Sequence, residues 1–179
     1  MAANAATGRG LDFHPAATPG SGRLTTAALV VALGGAATLA GAWFFQLVIG
    51  LAPCPLCLEQ RIPYYIAVPV ALLAALLARR SLMPARLLLI VAGLLLAGGA
   101  ALALYHAGVE WKWWAGPTEC SGTGPVTSTN ILQDLQTAHV VRCDEAAWRL
   151  FGLSLAGYNV LIASALALVA LWGGLTARR

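Results

Sequence analysis

Four long stretches of this chain carry no charged side chain: residues 24–58, 62–78, 87–109 and 150–177. A helix needs about 20 apolar residues to cross roughly 30 Å of bilayer hydrocarbon, so each stretch can hold one span, the second being the shortest. The apolar positions within them show no sustained alternation and are rich in Leu and Ala. That pattern predicts helices rather than the strands of a membrane barrel. We expect spans over 24–50, 62–78, 87–106 and 151–173, which makes this an all-α membrane protein, a four-transmembrane-helix bundle. Ahead of them Gly8, Gly10, Pro15, Pro19 and Gly20 fall among small polar residues. They predict a disordered tail over 1–22 and a membrane domain over 23–179. The first apolar run is much longer than the core of about 7–15 residues in a cleaved signal peptide, so it is expected to be retained.

Local punctuation refines the picture. Ala36, Ala40 and Gly41 in the first span, and Gly93, Gly98 and Gly99 in the third, are expected where helices approach closely. Pro63 has no N–H for the carbonyl of Glu59, which predicts a kink or loosened turn at the head of the second span. The stretch 79–86 turns the chain back, with Pro84 as a breaker. Trp43, Phe44 and Phe45, and later Trp111, Trp113 and Trp114, stand near span ends, where aromatic rings favour the headgroup region. The first group, with Gln46, also suits contact with a bound apolar ligand. Residues 107–150 form the one sizeable segment outside the bilayer. In it Gly116-Pro117 and residues 121–125 flank Cys120 with turn chemistry, which predicts an accessible loop. Ser128 or Thr129 is placed to cap a short surface helix bearing Ile131, Leu132 and Leu135.

Composition agrees, since 59% hydrophobic and 10% charged residues is too apolar for an ordinary soluble domain. The net charge of +4 is an orientation signal. An even number of spans places both termini on one side with the 79–86 loop. That side collects Arg9, Arg23, Arg79, Arg80, Arg86, Arg178 and Arg179 against Asp12. Opposite them stand Arg61, Lys112, Arg142 and Arg149 among a larger number of acids. The positive-inside rule then makes both termini cytoplasmic and sends the 107–150 loop to the far side. No clustered basic patch suggests nucleic acid as a partner.

All four cysteines fall on that far side, where disulfides persist. In Cys54-Pro55-Leu56-Cys57, Pro55 suits the first position of a helix, and a spacing of three brings the two sulfurs to one face within disulfide reach. Arg61 follows one turn later. The unpaired N–H groups of the first turn and the guanidinium both favour a thiolate at Cys57. Arg61 alone also reads as an interfacial arginine with its stem along the lipid. Four cysteines allow three pairings, and proximity suggests Cys54 with Cys57 and Cys120 with Cys143. Read alone, the second pair is a structural bridge worth on the order of 3 kcal/mol. Two dithiols within reach of each other can instead exchange through mixed disulfides. One C-x-x-C with three scattered histidines does not make a zinc cage, so no metal is expected. Nothing sets a His and an orienting partner beside a thiol as a cysteine hydrolase requires. His106, at the end of the third span, suits either a hydrogen-bonded boundary residue or a member of the redox site.

Together these residues resemble the DsbB family of bacterial membrane thiol oxidases over roughly residues 24–175. The resemblance is carried by four spans, by Cys54-Pro55-Leu56-Cys57 with Arg61, by the later Cys120 and Cys143, and by Trp148 and Phe151-Gly152-Leu153 before the last helix. The vitamin K epoxide reductase family places its loop cysteines before the C-x-x-C, whereas here they follow it. Ala156-Gly157 departs from the proline of many relatives. The resemblance implies an inner-membrane protein with its cysteines, and the loop carrying the second pair, in the periplasm. It implies catalytic roles for Cys54, Cys57, Cys120 and Cys143. A reduced DsbA-like partner attacks Cys120, Cys143 passes the bridge to Cys54, and Cys57 beside Arg61 delivers electrons to a quinone, either ubiquinone or menaquinone. Gln60, Tyr64, Tyr65 and His106 are the further residues expected at the quinone pocket. The rival readings are a vitamin K epoxide reductase-like quinone reductase and a membrane scaffold with two structural disulfides.

Overall fold

The computed structural model describes residues 19–117 and 142–177. The chain forms α1 (Pro19–Leu47), α2 (Pro55–Glu59), α3 (Ile62–Leu77) and α4 (Leu82–Glu110), then a minimal hairpin of β1 (Arg149–Leu150) and β2 (Leu153–Ser154), and α5 (Leu155–Thr176). Among the described residues, four segments are long and apolar enough to cross a membrane: α1, α2 with α3 taken together, α4 and α5. The all-α four-span architecture is therefore present, with the hairpin as an addition that the hydropathy pattern did not foretell. Cys120 and the surface helix expected around Ile131 lie outside the described residues, as does most of the expected tail. Residues 19–22 of that tail belong instead to α1, where Pro19 at the first position fits a helix start.

The helix ends differ from the expected spans for local reasons. Gly50, at φ 80°, turns the chain after α1. The expected turn at Pro63 appears as a break, with α2 ending at Glu59 and α3 starting at Ile62. α4 continues past 106 to Glu110 and stops where Lys112 adopts φ 62°. The last helix starts at Leu155 rather than 151. Phe151 and Gly152, at φ 49° and 84°, make the two-residue turn of the hairpin, since two positive φ values match the right-handed twist of its strands. Ser154 then caps α5, its Oγ accepting the Gly157 N–H at 3.1 Å.

In the bundle α4 packs against α3 and α5, and α1 closes the ring against the same two helices. The buried positions are small: Ala28 and Ala32 on α1, Ala71 and Ala74 on α3, Ala92 on α4, Ala167 and Ala170 on α5. Large apolar side chains such as Leu33, Leu76, Leu94 and Leu168 face outward. This suits a lipid solvent, in which close backbone approach, not burial of bulk, holds helices together. Gly93 and Gly99 mark such approaches, because a Cβ there would press on Leu171 and on Pro63. Gly98 meets open space, Ala36 and Ala40 are exposed, and α1 instead makes its close approaches at Gly34 and Gly35. Gly41, with Ala37 and Ala42, lines a cavity. The tightest helix crossing sets Gly173 against the Cβ of Ala27. Gly173→Val is expected to destabilise the bundle by about 1–3 kcal/mol through overpacking. Thermal unfolding in detergent checks this, and an unchanged midpoint would contradict the packing.

Candidate active site

The site is built on the broken helix head. Cys54 is the N-cap of α2 in extended conformation, with Pro55 behind it, and its Sγ accepts the Cys57 N–H at 3.2 Å. The two sulfurs lie 2.7 Å apart as free thiols, with Cys54 donating to Cys57. While both thiols are reduced, that hydrogen bond, reinforced by burial, holds the Cys54 thiol well above the ordinary thiol range. Cys143 is fully buried, sits in a disulfide, and packs with Cys54 and Leu56. The ligand atoms of Cys54, Cys143 and His106 all lie within 4.8 Å of one another. A segment 89 residues further along the chain therefore brings a third sulfur to the C-x-x-C. Three groups that can ligate a soft metal also converge here, which sequence spacing did not suggest, although the Cys143 sulfur is committed to its disulfide.

The Cys143 stretch is tied to the end of α4 by charge. Lys112 Nζ donates to Asp144 Oδ2 at 2.6 Å, and Arg142 Nη2 donates to the same oxygen at 2.9 Å. The Arg142 guanidinium, followed by the Lys112 ammonium, holds the Asp144 carboxyl well below the usual carboxylate range. Both cations are exposed, so the clamp sets direction more than stability.

His106 lies at the centre of a polar string. Its Nε2 is 3.7 Å from Cys54 Sγ and 3.8 Å from Glu110 Oε1. Its Nδ1 is 2.6 Å from Gln60 Nε2. Gln60 Oε1 accepts from Asn159 Nδ2 at 2.7 Å, and Asn159 Oδ1 accepts from Tyr64 OH at 2.6 Å. Gln60, Tyr64 and His106 are all buried. Asn159 and Glu110 were not singled out from sequence. Asn159 carries a signal, as an amide inside an otherwise apolar span. Glu110 reads in the sequence simply as the charged residue that closes the third apolar stretch.

Beside the string opens a cavity of about 530 Å³. Its polar wall includes Cys57, Gln60, Arg61, Tyr64, His106 and Asn159, and its apolar wall includes Phe45, Trp148 and Ile162. The two thiols thus divide their neighbours, Cys57 facing this cavity and Cys54 facing Cys143. Arg61 donates from Nη1 to Gln46 Oε1 at 2.7 Å and stacks its guanidinium 5.4 Å over the Trp43 ring. Phe45 and Gln46 line the cavity, whereas Trp43 anchors Arg61 from outside. Tyr65 points elsewhere, exposed, with its OH accepting from Trp43 Nε1 at 2.9 Å. The Phe45 and Trp148 rings meet at 5.1 Å.

Adjacent thiols at a membrane-helix head, with a third sulfur close enough to exchange, belong to the class of multi-pass membrane disulfide oxidoreductases. The comparisons narrow this further. The family model described as "Disulfide bond formation protein DsbB" matches residues 24–173, and the chain belongs to the DsbB family. It is 27% identical over 152 residues to "Disulfide bond formation protein B" of Stutzerimonas stutzeri, covering 80% of this chain and 90% of that one. The protein of the same description from Xanthomonas euvesicatoria is 31% identical, covering 80% and 86%. That from Marinobacter nauticus is 33% identical, covering 76% and 83%. No solved structure matches the chain significantly.

Proposed function

We propose that this disulfide oxidoreductase reoxidises a periplasmic thioredoxin-like dithiol oxidase resembling DsbA and passes the electrons to membrane quinone. The observation that carries the reading is the division of the thiols, Cys57 opening on the cavity and Cys54 on Cys143. A partner thiolate attacks Cys120, breaking its bond to Cys143 and forming a mixed disulfide. Cys143 then attacks Cys54 of an oxidised Cys54–Cys57 pair, and Cys57 departs as a thiolate. The quinone, ubiquinone or menaquinone, supplies a two-electron acceptor strong enough to drive a cycle that an ordinary disulfide cannot. The cavity suits a flat lipid-soluble ring, being largely apolar with Arg61, Gln60 and Asn159 as donors for carbonyl oxygens. The arginine imbalance supports cytoplasmic termini, with the cysteines in the periplasm of a bacterial inner membrane.

The test is quinol formation by the purified protein with a soluble quinone and a reduced thioredoxin-like dithiol. Turnover is expected to depend on both. Dithiol oxidation that continues at full rate in membranes stripped of quinone overturns the reading. Two merely structural disulfides would remain oxidised under that depletion.

A further inference from the structure

The string that reaches His106 runs in one direction. Tyr64 OH donates to Asn159, and Asn159 Nδ2 donates to Gln60 Oε1. The Gln60 amide nitrogen then meets His106 Nδ1. An amide NH₂ only donates, so Nδ1 is the acceptor and the ring proton sits on Nε2. The surroundings of Nε2 agree with that assignment: it faces Cys54 Sγ and Glu110 Oε1, which can accept, and the imidazole also meets the Cys143 backbone.

We propose that Asn159 and Gln60 lock the tautomer of His106, presenting Nε2–H to Cys54 and so making Cys54 the leaving sulfur when a Cys54–Cys143 disulfide is opened. The proposal rests on the loop-to-core exchange described under the proposed function. In the opening step a thiolate attacks Cys143 Sγ and a new S–S bond forms there. The Cys54–Cys143 bond breaks and its electron pair leaves on Cys54. The number of disulfides is conserved and no outside oxidant enters. On Cys54 the charge meets two donors, the Cys57 N–H at 3.2 Å and the imidazole. A hydrogen bond to a charged acceptor is about twice as strong as one to a neutral acceptor, so the donor helps most as the bond breaks. Asn159 touches neither sulfur and is a positioning residue.

Two variants test the lock in the full-length protein. Asn159→Leu removes the donor to Gln60 and lets that amide turn, so that Oε1 accepts Nδ1–H. Tyr64→Phe, nearly isosteric, removes the hydroxyl that orients Asn159. The ¹⁵N spectra of histidine-labelled protein in micelles report the tautomer directly, His106 being assigned by replacing His14 and His139. Wild type is expected to show Nε2–H alone, and both variants a population of Nδ1–H. An Nδ1–H wild type, or variants that keep Nε2–H alone, overturns the lock.

The leaving-group half has its own readout. With Cys57→Ser and Cys120→Ser in place and diamide supplied as the two-electron oxidant, Cys54–Cys143 is the one intramolecular disulfide that can form. After opening by β-mercaptoethanol, mass spectrometry shows which cysteine carries the adduct. It is expected on Cys143, and Asn159→Leu should move the ratio toward Cys54 by about fivefold, the scale of one net hydrogen bond. An unchanged ratio overturns this half. If the Cys54–Cys143 disulfide never forms, the relay fails and takes the leaving-group half with it, while the histidine spectra still decide the lock.

Discussion

Cys57→Ser is expected to reduce quinol formation to background, a loss of at least about 10³-fold, as when a covalent nucleophile is removed from an enzyme. A serine hydroxyl neither ionises near neutral pH nor closes a disulfide with Cys54, so the sulfur facing the cavity has no substitute. The backbone around it should be undisturbed, because Cys54 caps the turn through the main-chain N–H of residue 57, which serine retains. The variant should therefore still take up one electron pair from a reduced dithiol partner, opening the Cys120–Cys143 bridge to two thiols, and stall there with Cys54 a thiol that has no disulfide to receive the exchange. Absorbance of the quinol and mass spectrometry of alkylated peptides read the two halves separately. Turnover near the wild-type rate would mean that electrons leave by another atom.

The second large effect is at Arg61. Arg61→Met keeps the stem that packs along the cavity and removes the charge beside Cys57, the donor to Gln46 and the contact over Trp43. A hydrogen bond from a charged group is worth about 1.5–3 kcal/mol, so KM for quinone should rise about tenfold or more. Arg61→Lys should fall between, since a lysine restores charge without the planar fork. Steady-state kinetics at saturating dithiol decide the matter. An unchanged KM in Arg61→Met would confine Arg61 to an interfacial role.

Much of this protein is written in short-range sequence, and the remainder is not. The four spans follow from unbroken apolar runs, and the cap at Cys54 and the neighbourhood of Cys57 and Arg61 follow from spacings within one or two helical turns. The placement of Gln60, Tyr64 and His106 along one cavity wall was reached through family resemblance. No local pattern joins residue 60 to 106 or to 159. Asn159 completes the string only because α5 lies beside the helix head, and helix pairing among uniformly apolar surfaces leaves little trace in periodicity. Tyr64 and Tyr65 look alike in sequence, yet a rotation of about 100° per residue sends one into the bundle and the other to the rim. Phe151 at positive φ is the least legible feature, since a bulky residue rarely adopts that conformation.

The interruption between Glu59 and Ile62 also has a mechanical meaning. Because the short helix bearing Cys57 and capped by Cys54 is jointed to α3 rather than continuous with it, rearrangement at the sulfurs is expected to be taken up at the joint, leaving the membrane-crossing rods in place.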